Sequence, residues 1–470
     1  MNVTSKLKRF AYLSLQRWIE REMGKNRLQP DCALWGLGVN DKHHLTIGGH
    51  DCVELAAQYG TPLFVVDKQR LQNNYAMFRD CLASLSLRGE ILYSYKTNPV
   101  PGILAALHTS GAGAEVISPY ELWLALHLGV HPEAVVYNGP NKSEEGLRLA
   151  VRRAIKLINV NSFREIEILE RLAAEEEARP AVGVRISTIA GWGAQFGFKL
   201  ETGEAHEAFA RLQAGRRLQA KAIHVHLGTN VSDPHTYRSA LVMILRFIRE
   251  LKDRFDITIQ YLDMGGGYGV PTVRALGKQE ARRNTFLYKP FQPPAPDQVP
   301  SISAFIQEIE QTFRGECRTL GLVEPVLLFE PGRAMTSNTE ILLTAVGDFK
   351  ETRNGFNIAL LDAGINIAQP LQWEYHEILL ANKTDARYDR RYGLAGPICT
   401  PSDLFLKSKR LPELQVGDLL SIMDAGAYFT SFANDFSFPR PAIVMVDEGR
   451  KQMIRERETF DDLIRKDVLS

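Results

Sequence analysis

The chain has 470 residues, enough for two domains with a large core, and its 45% apolar and 24% charged residues are those of an ordinary globular protein. A formal net charge of +1 supplies no bulk field to attract nucleic acid or an acidic membrane, and no apolar run nears the ~20 residues of a membrane span. Five cysteines (Cys32, Cys52, Cys81, Cys317, Cys399) are odd in number and scattered. They show neither a disulfide framework nor metal-ligand spacing, so no metal is expected, and they fit a cytoplasmic protein.

In chain order, Leu7, Ala11, Leu15 and Trp18 recur at helical spacing, and 1–32 reads as an amphipathic helical extension packed on its own protein. Its apolar stretch ends at Gln16-Arg17 without a small-residue cleavage site, which argues against a signal peptide. Residues 33–60, with Leu45-Thr46-Ile47, are expected to lend strands to a β domain. From Leu63-Phe64-Val65-Val66 to Val326-Leu327-Leu328-Phe329, short apolar runs alternate with helical periodicity. Eight to nine such units in about 270 residues suit a (β/α)8 TIM barrel over 61–335. The runs at 341–346, 357–361, 418–423 and 442–446 have sparse helical periodicity and read as a β-rich C-terminal domain, 336–470. Residues 270–300 carry six prolines and read as a surface excursion rather than a lid.

Lys96 ends the run Leu92-Tyr93-Ser94-Tyr95-Lys96. Taken alone, such a lysine snorkels to solvent. It gains a chemical reading from His226, the triple glycine Gly265-Gly266-Gly267 and Glu330, which also follow strand-like runs, the ends where barrel active sites are built. An amine desolvated there becomes the nucleophile that Schiff-base formation with an aldehyde requires. The glycines free the backbone to present N–H groups to one anion, Arg333 adds a charge-assisted contact and Thr229 a hydroxyl. Glu330 suits a protonated pyridine nitrogen, and His226 the ring face. His224 points the same way, and its pattern does not separate it from a core histidine.

These residues, in this order, resemble the fold-type III pyridoxal-phosphate decarboxylases, the group of diaminopimelate and ornithine decarboxylases, over 35–449. The resemblance implies an alanine-racemase-like pair of domains and pyridoxal 5'-phosphate as cofactor. It assigns cofactor attachment to Lys96 of Tyr95-Lys96-Thr97-Asn98 and ring stacking to His226, with Thr229 in place of a serine. Phosphate falls to Gly265, Gly266, Gly267 and Arg333, the ring nitrogen to Glu330, and a place near the phosphate to Tyr428 of Gly426-Ala427-Tyr428. Cys399, after Gly396-Pro397-Ile398, is implied to enter the other subunit's site in a homodimer and to protonate the carbanion left by carbon dioxide, a role shared with Lys96. Enzymes of any kind lower such barriers by ~8–23 kcal/mol.

The departures fall on the substrate side. Gln369-Pro370-Leu371-Gln372-Trp373 stands where diaminopimelate decarboxylases have Arg-Pro-x-x-Tyr, Thr400 where relatives carry Glu or Asp, and Gln195-Phe196-Gly197 where they have Lys-Phe-Gly. Gln369 makes no charged bidentate contact. A site of Gln369, Trp373, Thr400 and Asp403 is therefore expected to prefer a conjugated, bulky or carrier-linked amino acid, with a carrier protein as partner, over meso-diaminopimelate or ornithine. The alternatives are a diaminopimelate decarboxylase proper, an amino-acid racemase, whose tyrosine base has no match after Lys96, and an inactive pyridoxal-binding homologue.

Overall fold

The computed structural model describes residues 30–188, 193–353 and 355–468, together with Ser14. The helical extension expected over 1–32 therefore lies outside the described residues, but for Ser14 and 30–32. The chain divides into two units. One comprises Leu71–Pro271 and Asp297–Thr336; the other takes the described residues up to Arg70, then Thr272–Pro296, then Ser337 onward.

The first unit is a closed barrel of eight parallel strands: β1 (Gly89–Ser94), β2 (Gly113–Val116), β3 (Val135–Tyr137), β4 (Leu157–Val160), β5 (Ala181–Ser187), β6 (Gln219–His224), β7 (Tyr261–Asp263) and β8 (Val326–Phe329). They pair in the order β5-β6-β7-β8-β1-β2-β3-β4, and β4 closes on β5. Every residue of β3 and β4 is buried, the near-continuous apolar pattern of strands covered on both faces. Leu92, Val136, Leu157, Ala222 and Leu328 form one buried cluster. The surrounding helices start where serine oxygens accept backbone N–H groups. Ser118, Ser143, Ser162 and Ser301 cap Pro119–His127, Glu144–Arg152, Phe163–Glu175 and Ile302–Leu320, each cap contributing about 1 kcal/mol. Ile302–Leu320 buries Phe305, Ile309 and Phe313, a stripe at helical spacing.

The run Leu63-Phe64-Val65-Val66, expected to begin the barrel, belongs to the second unit. Leu63–Asp67 pairs antiparallel with Glu340–Glu351 and parallel with Ala442–Asp447. All five of its residues are buried, so its composition matches that of a barrel strand. Glu340–Glu351 also pairs with Asn357–Leu361 and Leu419–Ile422, giving the β-rich unit. Leu45–Ile47 sits in a separate three-stranded sheet and shares a core with Leu63, Val65, Ile341, Leu343 and Val444. The proline-rich stretch is not an aperiodic excursion. Arg274–Ala275 pairs with Glu374–Tyr375, and Lys278–Leu287 is a helix. That helix buries only Asn284, so it offers no apolar period to read. Among the described residues no helix is long and apolar enough to cross a membrane.

Candidate active site

Lys96 stands in the turn Tyr95–Thr97, immediately beyond β1. Its Nζ donates to Ser94 Oγ at 2.7 Å and to Glu115 Oε2 at 2.9 Å, and Ser94 Oγ donates to the same carboxylate oxygen at 2.5 Å. Glu115, on β2, is fully buried. The bare amine in an apolar pocket that the sequence suggests is thus replaced by an ion pair. A buried carboxylate has taken the place of the apolar wall.

Glu330 follows β8 and is the hub of a polar layer across the barrel. Asn138 Nδ2 donates to Glu115 Oε1 at 2.9 Å and to Glu330 Oε1 at 2.6 Å. Asn159 Nδ2 donates to Asn138 Oδ1 at 2.7 Å and to Asp263 Oδ2 at 3.3 Å. His224 Nε2 lies 3.6 Å from Glu330 Oε2, and acceptor or donor atoms of His224, Asp263 and Glu330 fall within 4.8 Å of one another. Burial would raise the Glu330 carboxyl, yet His224, Lys96 and the proton on Asp263 together hold it below the usual carboxylate range. Asp263 moves the opposite way, raised by burial and by the Glu330 charge beside it. The pair therefore shares one proton that resides on Asp263, and Glu330 is the ionised member.

The Gly265-Gly266-Gly267 loop is threaded between two neighbouring strand ends. A Cβ on Gly266 would lie 2.2 Å from the Glu330 carbonyl oxygen, and one on Gly267, at φ 92°, 2.2 Å from the Gly228 carbonyl oxygen. Tyr237 Oη donates to the Gly266 carbonyl at 2.9 Å and stacks on Tyr268 with ring centres 5.1 Å apart, which anchors the loop from below. Gly266 N–H donates to His226 Nδ1 at 3.3 Å. Desolvation, with the nearby Lys96 charge, lowers the His226 pKa to about 3, so its ring is neutral. Arg333 is buried and opens the short helix Arg333–Thr336, whereas Thr229 is exposed.

A cavity of about 290 Å³ is lined by Lys96, Glu115, Asn138, Arg185, His226 and Glu330, among others. The structure therefore brings together Lys96, His226 and Glu330, with the glycine loop beside them. Gln369, Trp373, Cys399, Thr400, Asp403 and Tyr428 all lie in the other unit. There Cys399 is an exposed free thiol, and Trp373, 39% exposed, meets Phe432 edge-on at 5.8 Å. Gln369 opens the turn Gln369–Gln372, and Thr400 Oγ1 lies 3.1 Å from Ser402 Oγ. Tyr428 has φ 71°, uncommon for a bulky residue, and caps Phe429–Phe432. Asp403 is not available as a substrate counter-charge. It is buried, and its two oxygens accept Ile365 N–H and Ile398 N–H at 2.6 Å each, so it pins its own loop.

Glu115, Asn138, Asn159 and Arg185 were not picked out by motif reasoning, and Asp263 stood out only as the residue that leads into the glycine run. The available signal was a polar side chain within or just after an otherwise apolar strand, which a closed barrel turns toward its interior.

Residues 68–337 match the family described as pyridoxal-dependent decarboxylase, pyridoxal binding domain. A diaminopimelate decarboxylase of Methanothermobacter thermautotrophicus is 33% identical over 437 residues, covering 91% of this chain and 96% of the relative. One from Bacillus subtilis is 28% identical, covering 93% and 98%. The crystal structure of the M. jannaschii diaminopimelate decarboxylase in complex with L-lysine superposes with TM-score 0.82 at 27% identity, covering 92% of this chain and 98% of that one. These nearly end-to-end relatives overturn the expectation of a substrate unlike diaminopimelate. Gln369 and Thr400 do not suffice to read specificity, because a substrate's distal groups can also be met by neutral donors and acceptors.

Proposed function

Given that the chain belongs to the pyridoxal-dependent decarboxylase family, we propose that it is a diaminopimelate decarboxylase, releasing one carboxylate of diaminopimelate as carbon dioxide to leave lysine. The observation that carries this reading is the match along nearly the whole chain to proteins of that one name. The L-lysine in the M. jannaschii complex is what diaminopimelate becomes on losing a carboxylate.

The residues suit pyridoxal 5'-phosphate: a primary amine and a buried ionised carboxylate line a cavity of about 290 Å³, and a glycine loop adjoins its His226. When bound, that cofactor supplies an electron sink for the pair left by the departing carbon dioxide. Lys96 Nζ is the attachment point, and Glu115, 2.9 Å away, holds the amine's proton and returns it. Ionised Glu330 would keep a proton at the ring nitrogen, and Asn138 fixes the orientation of that carboxylate. Neutral His226 offers its face to the ring without competing for the proton. The Gly265-Gly266-Gly267 loop would hold phosphate together with Arg333 and Thr229.

The enzyme is a cytoplasmic homodimer in this reading; five free cysteines support the reducing compartment. Cys399, entering from a second subunit, or Lys96 would deliver the final proton to carbon. The test is carbon dioxide release and lysine formation from meso-diaminopimelate, with ornithine as the comparison substrate. Cofactor-loaded protein that forms no lysine would overturn the assignment.

A further inference from the structure

The charged groups lining the cavity are not equally engaged. Lys96 is paired with Glu115, and Glu330 accepts from Asn138. Arg185 is only 8% exposed, and its guanidinium makes no hydrogen bond and no ion pair among the described residues. It stands on β5 in register with His224 of β6, so both side chains point into the barrel. Its guanidinium carbon lies 4.3 Å from the centre of the Phe196 ring, which also lines the cavity. A ring stacked on a guanidinium covers one face and leaves the N–H edge free.

A guanidinium carries five N–H donors, and where Arg185 lines the cavity none of them meets a protein acceptor among the described residues. The acidic groups close enough to act on Arg185 through space are Glu330, Glu115 and Asp263. Each already has nearer partners: Asn138 for Glu330, Lys96 and Ser94 for Glu115, and the Gly265 N–H for Asp263. A group preorganised in this way is completed by a ligand oxygen carrying negative charge.

We propose that Arg185, seated against Phe196, is the oxyanion-recognition residue of this cavity, donating to an anionic oxygen of the bound cofactor or substrate. Two oxygens share that chemistry, the ring hydroxylate of pyridoxal phosphate and the carboxylate that the amino acid keeps when carbon dioxide leaves. The inference rests on the cavity holding the cofactor. If unsubstituted protein binds no pyridoxal phosphate, that reading fails, rather than the role of Arg185 within it.

The experiment uses full-length protein with Arg185→Gln and Arg185→Lys, each checked against the parent by circular dichroism. Stripped protein is titrated with pyridoxal phosphate and with its 3-O-methyl analogue. Cofactor-loaded protein is titrated with lysine and with cadaverine, which lacks the carboxylate, following the cofactor's absorbance. A ring-oxygen contact makes Arg185→Gln bind pyridoxal phosphate roughly ten- to a hundredfold more weakly while the methylated analogue is unchanged. A carboxylate contact gives that loss for lysine and not for cadaverine. In either case Arg185→Lys recovers part of the affinity, and this variant carries the test if the glutamine variant misfolds. Equal weakening of both members of each pair, or no weakening, overturns the proposal.

Discussion

Asn138 joins two carboxylates in the polar layer, giving one amide hydrogen to Glu115 at 2.9 Å and the other to Glu330 at 2.6 Å. Asn138→Asp keeps the shape but sets acceptor oxygens against both. The folded variant escapes by taking up a proton, which serves only one of the two contacts. Loss of the other charge-assisted bond costs about 1.5–3 kcal/mol. Holding the proton near pH 7, against an aspartate pKa of ~3.9 in the unfolded chain, costs about 4 kcal/mol at 1.36 kcal/mol per pKa unit. The sum, about 6 kcal/mol, rivals the ~5–15 kcal/mol stability of a whole domain. Because the new carboxyl has a folded pKa raised above its unfolded value, the proton penalty is absent below pH ~3.9. It then grows by about 1.4 kcal/mol per pH unit until the folded pKa is reached. Urea unfolding of parent and variant at two values about two pH units apart, near pH 5.5 and 7.5, should therefore show their stability gap widening by about 2.7 kcal/mol. A gap equal at both values would refute the placement of Asn138 between the two carboxyl groups.

Glu330→Gln should keep cofactor bound but lower carbon dioxide release by roughly a hundredfold or more, since a neutral amide cannot hold the ring proton; near-normal turnover would remove Glu330 from that role. Gly266→Ala places a methyl 2.2 Å from a backbone carbonyl, so the melting temperature should fall by the equivalent of at least ~1–3 kcal/mol, together with cofactor retention; parent-like values for both would refute the threading of the loop. Mixing inactive Lys96→Ala and Cys399→Ala subunits should restore part of the activity, measured after reassembly, because some mixed dimers hold one intact site. Absence of complementation would place Cys399 in its own subunit's site or outside catalysis.

Lys96, His226, the triple glycine and Glu330 were legible because each follows an apolar run, and a parallel barrel gathers such ends on one face. The partners that set their charge were not. Asn138 and Glu330 are 192 residues apart, and Asn138 and Asn159 are 21 apart. Only closure of β4 on β5 and β8 on β1 makes one layer of them. Until then, Glu115 within Gly113–Val116 is a polar interruption with no visible compensation. Leu63–Asp67 misled for the opposite reason, since burial on both faces gives a barrel strand and a central sheet strand the same composition. Substrate choice was misread at Gln369 and Thr400 because two substituted positions say what a pocket has lost, not what else meets the ligand.

The placement of Leu63–Asp67 also bears on how the protein is made. Its sheet partners, Glu340–Glu351 and Ala442–Asp447, leave the ribosome long after it does. With ~270 residues to add before the first and ~375 before the second, at about 5–20 per second, the strand waits for roughly 20 to 75 s before both are available. All eight barrel strands, Gly89 to Phe329, are synthesised within that wait and can close on one another. The nascent chain thus passes through a stage in which a finished barrel trails an apolar strand with unsatisfied backbone groups on both edges, a template for pairing with other chains. Translation products that stop between Phe329 and Glu340 would be arrested in that stage, which makes this short segment the place for chaperones to hold and for aggregation to begin.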